Sequence, residues 1–76
     1  MNMFVEDVTD FINKEIKRGE FDRYSAETLA FAFLLGLPPK ECTGMYVESD
    51  WEQEWIDQYD DVVNIINKCK RTKRKA

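Results

Sequence analysis

Four carboxylate side chains recur at helical spacing in the second half of the chain: Asp50, Glu54, Asp57 and Asp61. Steps of four, three and four residues place them on one stripe of a helix, because an α-helix turns once every 3.6 residues. No lysine or arginine lies between them, and like charges at this spacing destabilise a helix by about 0.2 to 0.5 kcal/mol per pair. This acidic stripe predicts a docking surface for a partner protein with a basic surface. The alternative is a solvated face whose acids stabilise the positive end of the helix dipole.

Three aromatic residues accompany the acidic stripe, namely Trp51, Trp55 and Tyr59. Tryptophan and tyrosine are enriched in interaction hot spots, so exposed rings here would extend a partner-binding surface or form the seam of a homodimer. The alternative is that these rings belong to the core, since a small domain must bury nearly all of its large apolar side chains.

The composition excludes most catalytic chemistry. The chain of 76 residues contains no histidine, which removes the commonest general acid–base group and the commonest metal ligand. Its two cysteines, Cys42 and Cys69, lie far apart and lack the Cys-x-x-Cys spacing of zinc sites. The sequence also lacks a glycine-rich phosphate loop and the acidic pattern of a calcium loop. We therefore expect no catalytic residue, no metal site and no cofactor, and a protein that is not an enzyme.

One acidic residue interrupts the apolar arc of the first predicted helix. Glu15 falls between Phe4 and Val8 when the residues are placed at 100° intervals around the helix axis. A buried acid can mark a functional site. Glu15 lies in the last turn of the helix, however, so we expect its carboxylate to reach water or Arg23.

Charge is distributed unevenly along the chain. All 15 carboxylates precede residue 68, whereas the last nine residues carry six basic side chains and no acid. Clustered bases bind phosphates because they release condensed counterions. A second hypothesis is therefore a nucleic-acid-associated protein that binds through Lys70, Arg71, Lys73, Arg74 and Lys75. The acidic body would repel the same phosphates, and a solvated basic tail is the simpler interpretation.

The segment from Leu29 to Pro38 resembles the first helix and turn of a helix-turn-helix. Ala32 stands four residues before Gly36, as such a turn requires, and Cys42 supplies an apolar position beyond it. The helix that would read DNA spans residues 39–46 and carries a single basic residue, whereas a helix in the major groove needs several polar or basic side chains. The resemblance implies at most a related scaffold used for another purpose.

The predicted elements follow from apolar periodicity and helix boundary residues. Helices are predicted over residues 3–18, 26–35 and 50–70. Ser25 and Gly36 are typical of the two ends of the second helix, and the pattern from Ser49 to Glu52 predicts a capping box at the start of the third. Residues 37–48 predict a loop or one short helical turn, because they contain two prolines and a glycine.

A chain of this length has room for one core. We expect a single all-α domain of three helices over residues 1–70, followed by a disordered basic tail over residues 71–76. The first residues do not resemble a secretory signal, and no apolar run reaches the roughly 20 residues that span a bilayer. We therefore expect a cytoplasmic protein with no membrane partner, in which Cys42 and Cys69 are reduced thiols; the alternative is a disulfide between them.

These features favour a non-enzymatic interaction module that occludes a basic surface of another protein through its third helix. Small acidic inhibitors of the kind that phages direct against host proteins are one setting for such a module. The alternatives are the nucleic-acid-associated regulator and a small self-assembling structural subunit, for which the surplus of aromatic residues is the only support.

Overall fold

The computed structural model describes residues 3–75, and the side chains of residues 4–72 within them. It has three helices: α1 over Met3–Lys17, α2 over Ala26–Leu35 and α3 over Gln53–Lys75. A single 3₁₀ turn over Pro39–Cys42 connects α2 to α3. The predicted small three-helix all-α fold is confirmed, and the described residues contain no strand.

Helix α2 forms the centre of the molecule, and its sequence explains both its ends and its position. The hydroxyl of Ser25 accepts a hydrogen bond from the backbone N–H of Thr28, at 3.3 Å, and so caps the first turn. Gly36 ends the helix in the left-handed conformation, with φ of 71°, and its N–H donates to the carbonyl of Ala32 at 2.9 Å. A helix that is apolar all round must be covered by its neighbours. Its buried residues are Ala26, Leu29, Ala30, Phe31 and Ala32.

The core joins one face of α1 and one face of α3 to this central helix. Phe33 of α2 makes edge-to-face contacts with two rings of α1, Phe4 at 6.1 Å and Phe11 at 5.5 Å between centroids. The fully buried large side chains are Phe21, Phe31, Leu29, Ile66, Val8, Val62 and Cys42. The long helix α3 therefore has one buried side, and its opposite side is open to solvent.

The start of α3 differs from the prediction. Within the described residues, the capping box predicted from Ser49 to Glu52 does not form, and the helix begins only at Gln53. A tight turn takes its place, closed by the N–H of Trp51, which donates to the carbonyl of Glu48 at 3.1 Å. The turn brings the Trp51 ring edge-on against the core of α2, and this packing outweighs a local capping preference of about 1 kcal/mol.

The end of α3 also differs from the prediction. The helix continues to Lys75, five residues beyond the predicted bound, and Ala76 lies outside the described residues. Lysine and arginine are good helix formers, and their positive charges stabilise the carbonyl end of a helix. An established helix therefore extends through them at little cost.

The segment that resembles a helix-turn-helix does not continue as one. The 3₁₀ turn over Pro39–Cys42 stands where the DNA-reading helix would begin. Four residues in a 3₁₀ turn cannot present side chains along a major groove.

Among the described helices, none combines the length and the apolar character needed to cross a membrane.

Candidate functional site

The structure divides the predicted acidic stripe in two. Glu54, Asp57 and Asp61 lie on α3 and are exposed, and we call these three residues the acidic face. Asp50 is also exposed, but it lies in the turn before the helix and so is not part of the helical row. The later start of α3 is the cause of this separation.

The acidic face points away from the core. At 100° per residue, its centre lies roughly 150° around the helix axis from the direction of Trp55 and Tyr59. Glu54 is in the first turn of α3. Asp57 accepts a hydrogen bond from the side-chain amide of Gln53 at 3.0 Å, which holds its carboxylate near the helix surface. The acids and the aromatic rings predicted to act together therefore occupy different sides of α3.

The aromatic rings form a packed cluster around Phe31 of α2. Its ring lies 6.1 Å from Trp51, 6.1 Å from Trp55 and 4.7 Å from Tyr59, measured between centroids. Tyr59 is 9% exposed, so the structure places it in the core, where a partner cannot reach it. Trp51 and Trp55 are half-buried and keep part of each indole accessible. The aromatic part of the predicted surface is thus reduced to these two tryptophans.

A groove at the start of α3 brings the two tryptophans together with acidic residues. It has a volume of about 410 Å³ and is lined by Leu35, Asp50, Trp51, Glu52 and Trp55. Sequence reasoning missed Leu35 and Glu52. Leu35 belongs to another helix, and the sequence pattern predicts a capping role for Glu52. The exposure of the apolar side chain of Leu35 at the end of α2 is visible only in the structure.

Two ionisable side chains in the core, the Tyr59 phenol and the Cys42 thiol, have raised pKa values. Burial raises the pKa of the Tyr59 phenol above its ordinary value of 10.0, and the negative charges of Glu27 and Asp60 raise it further. Burial, followed by the charge of Glu41, likewise raises the pKa of the Cys42 thiol above 9.0. Both groups are therefore neutral near pH 7, and Cys42 lacks the thiolate character of a nucleophile.

One of the basic residues near the end of α3, Lys70, contacts another part of the fold. The ammonium of Lys70 donates a hydrogen bond to the carbonyl of Phe21 at 2.6 Å and lies 4.3 Å from the centroid of the Phe21 ring. Lys70 therefore fastens α3 to the loop after α1, which the sequence did not predict. Arg71 is exposed. The side chains of Lys73, Arg74 and Lys75 lie outside those that the structure describes.

Glu15 is buried, contrary to the expectation that its carboxylate reaches water or Arg23. Its side chain is 3% exposed, and its Oε2 lies 3.4 Å from a guanidinium nitrogen of Arg18. The other oxygen, Oε1, is buried without a hydrogen-bond partner. Glu15 projects toward the core from the last turn of α1, and the neighbouring Arg18 is the only ion-pair partner within the described residues.

The described residues contain no cluster of histidine, cysteine, aspartate or glutamate side chains that could hold a metal ion. Cys42 and Cys69 are both free thiols, the first buried and the second half-buried. The candidate site thus consists of exposed carboxylates and two half-buried tryptophans. Comparisons with protein-family models, curated proteins and solved structures find no match to this chain.

Proposed function

We propose that this protein is a non-enzymatic interaction module that docks on a basic surface of another protein through the acidic face of α3. By covering that surface, it inhibits or modulates the partner, as small phage inhibitors of host proteins do. The observation that carries the proposal is the exposure of Glu54, Asp57 and Asp61 in one row, directed away from the core.

The charge around this row supports the proposal. Between residues 41 and 67 the chain has no lysine or arginine, and it has eight carboxylates: Glu41, Glu48, Asp50, Glu52, Glu54, Asp57, Asp60 and Asp61. A surface of a single sign attracts an oppositely charged partner and accelerates its association. Selection for solubility alone does not require this pattern, because alternating charges serve that purpose without repulsion along the helix.

Stabilisation of the helix dipole does not account for the whole row. That effect is confined to about the first turn of a helix. It explains Glu54, but Asp57 and Asp61 lie further along α3. The Gln53 amide compensates only Asp57. The remaining acidic charge on this face therefore lacks a local structural purpose, which favours a role in binding.

The test is affinity capture from a lysate of the host cell with three forms of the protein. The wild type is compared with Glu54→Lys/Asp61→Lys, which reverses the two ends of the acidic face and leaves the Gln53–Asp57 hydrogen bond in place. The matched control is Glu6→Lys/Asp10→Lys on α1. It makes the same change in net charge, and Glu6 is the first-turn acid of α1 as Glu54 is of α3.

The proposal expects a protein with a basic surface that the wild type and the α1 control retain and the α3 variant loses. Retention by the α3 variant, or equal loss from both variants, would contradict it. Recovery that disappears after nuclease treatment would favour the nucleic-acid hypothesis instead. A mass that rises with concentration and no captured protein would favour self-assembly.

A further inference from the structure

The groove at the start of α3 has the features of a site for a planar organic cation. Its two tryptophan rings meet almost at a right angle, with 4.9 Å between their centroids and 81° between their planes. The two indoles meet edge to face in a corner, and both residues line the groove. Indole is the aromatic side chain that attracts cations most strongly over its face.

The corner packs against the aromatic rings of the core. The Trp55 ring stacks on Phe31 at 6.1 Å and on Tyr59 at 6.0 Å. Phe31 is fully buried and also contacts the Trp51 ring edge-on. A ligand would therefore meet rings that are already in position and would not have to order them on binding.

The acidic residues of the groove specify the charge of its occupant. Asp50 and Glu52 line the groove and are exposed, and neither has an ion-pair partner within the described residues. Leu35, the last residue of α2, also lines the groove. The local field therefore favours a cation.

We propose that this groove binds an arginine side chain of the partner protein, with the guanidinium on the indole of Trp51 or Trp55 and its N–H groups directed to Asp50 and Glu52. Arginine fits better than lysine because its planar guanidinium stacks on aromatic rings and donates to two carboxylates at once. This inference rests on the proposed function, because it names the group that the partner of the acidic face inserts at the end of α3.

The chain itself supplies the reporter for a test, since Trp51 and Trp55 are its only tryptophans. The ¹⁵N-labelled protein is titrated with the capped peptide acetyl-Gly-Arg-Gly-amide, and the two indole N–H signals are followed by NMR. The same peptide with citrulline, which has nearly the shape of arginine but no charge, is the matched probe. We expect saturable shifts of both indole signals with arginine and affinity about tenfold weaker with citrulline.

Two isosteric variants complete the test. Asp50→Asn/Glu52→Gln removes the charge of the groove and should weaken arginine binding about tenfold. Glu6→Gln/Asp7→Asn removes the same charge from α1 and should leave the binding unchanged. Equal shifts with both peptides, equal losses in both variants, or indole signals that do not respond would each overturn the proposal.

The peptide titration and the capture experiment test different claims, so one claim can be contradicted while the other stands. If the groove does not bind arginine but capture still depends on Glu54 and Asp61, the docking function stands and the inference falls. If the groove binds arginine but capture does not depend on these acids, the arginine site stands and the acidic face loses its role.

Discussion

The carboxylate of Glu15 illustrates how a single residue can oppose the stability of a small core. Taking a carboxylate out of water costs several kcal/mol, and only good ion-pair and hydrogen-bond geometry recovers that free energy. Here one oxygen has no partner, and the other lies 3.4 Å from Arg18, whose side chain is 61% exposed. The contact to this solvated guanidinium is therefore weak compensation for a buried charge.

Substitutions at this pair test that interpretation. We expect Glu15→Met to leave the free energy of unfolding unchanged or to raise it, because an apolar side chain of similar volume needs no partner. Arg18→Ala should lower the free energy of unfolding by about 1 kcal/mol in the wild type and should have almost no effect beside Glu15→Met. Urea denaturation of the wild type, the two single variants and the double variant measures these free energies. Arg23→Ala is the control, and a larger loss from Glu15→Met than from Arg18→Ala would contradict the interpretation.

Deprotonation of the Tyr59 phenol should lower the free energy of unfolding at alkaline pH. Burial first, and then the charges of Glu27 and Asp60, raise the pKa of its phenol in the folded state. The unfolded chain, with an ordinary phenol pKa near 10.0, then loses this proton at a lower pH than the folded chain does. The contribution of Tyr59 is fully present below that value, and the free energy of unfolding falls as the pH rises through the folded pKa.

Denaturation curves between pH 7 and pH 11 would measure this fall. Tyr59→Phe should reduce its slope, whereas Tyr46→Phe, the same change at a ring that is 68% exposed, should preserve it. Part of the fall should persist in Tyr59→Phe, because burial raises the pKa of the Cys42 thiol in the same direction. A slope that Tyr59→Phe leaves unchanged would rule out this role for the phenol.

The three helices differ in how far local sequence determines their bounds. For α2, a serine cap and a left-handed glycine act on their own backbone, so both ends were predictable. For α3, an equally good local signal at Ser49 failed, because the contact of Trp51 with Phe31 is formed between elements distant in sequence. α3 also extends five residues past the predicted bound at residue 70, because a polar, basic segment can continue a helix without any apolar contact.

Lys70 shows that a basic residue near the end of a helix can have a structural role. Its ammonium binds the Phe21 carbonyl and lies over the Phe21 ring, so it joins α3 to the loop that follows α1. We expect Lys70→Met to lower the free energy of unfolding by about 1 to 2 kcal/mol, because it removes a charge-assisted hydrogen bond and a cation–π contact.

The matched control for this prediction is Lys68→Met, at an exposed position of the same helix turn. It should change the free energy of unfolding by less than about 0.5 kcal/mol. Chemical denaturation distinguishes the two variants. Equal effects would show that the contacts of Lys70 with Phe21 do not stabilise the fold.

On the scale of the whole molecule, the acidic residues and the packed aromatic residues lie on different sides of α3. The sequence pattern predicted the acidic row, because repeated spacing on one helix is a local property. It left open whether Tyr59 is buried, and it did not predict that Asp50 leaves the row or that Leu35 completes a groove. Each of these depends on how α2 and the turn before α3 pack together. Periodicity identifies the faces of a helix, but it does not identify the neighbours that cover them.

The exposed acidic face predicts that the rate of association with a basic partner depends on ionic strength. Exposed charges are screened over about 10 Å at 0.1 M salt, so the association rate with a basic partner should fall steeply as salt is added. Stopped-flow kinetics with the captured partner would measure this rate. Glu54→Lys/Asp61→Lys should reduce both the rate and its dependence on salt, whereas an association rate that is independent of salt would show that charge does not guide the encounter.

The most direct test of the central claim is an NMR map of the partner-bound surface on the ¹⁵N-labelled protein. Docking through α3 predicts that the largest changes on adding the captured partner occur at Glu54, Asp57 and Asp61 and at the indole signals of Trp51 and Trp55. The outer face of α1 should change little. Changes concentrated on α1, or on the basic end of α3 from Lys68 onward, would contradict the assignment of the acidic face as the docking surface.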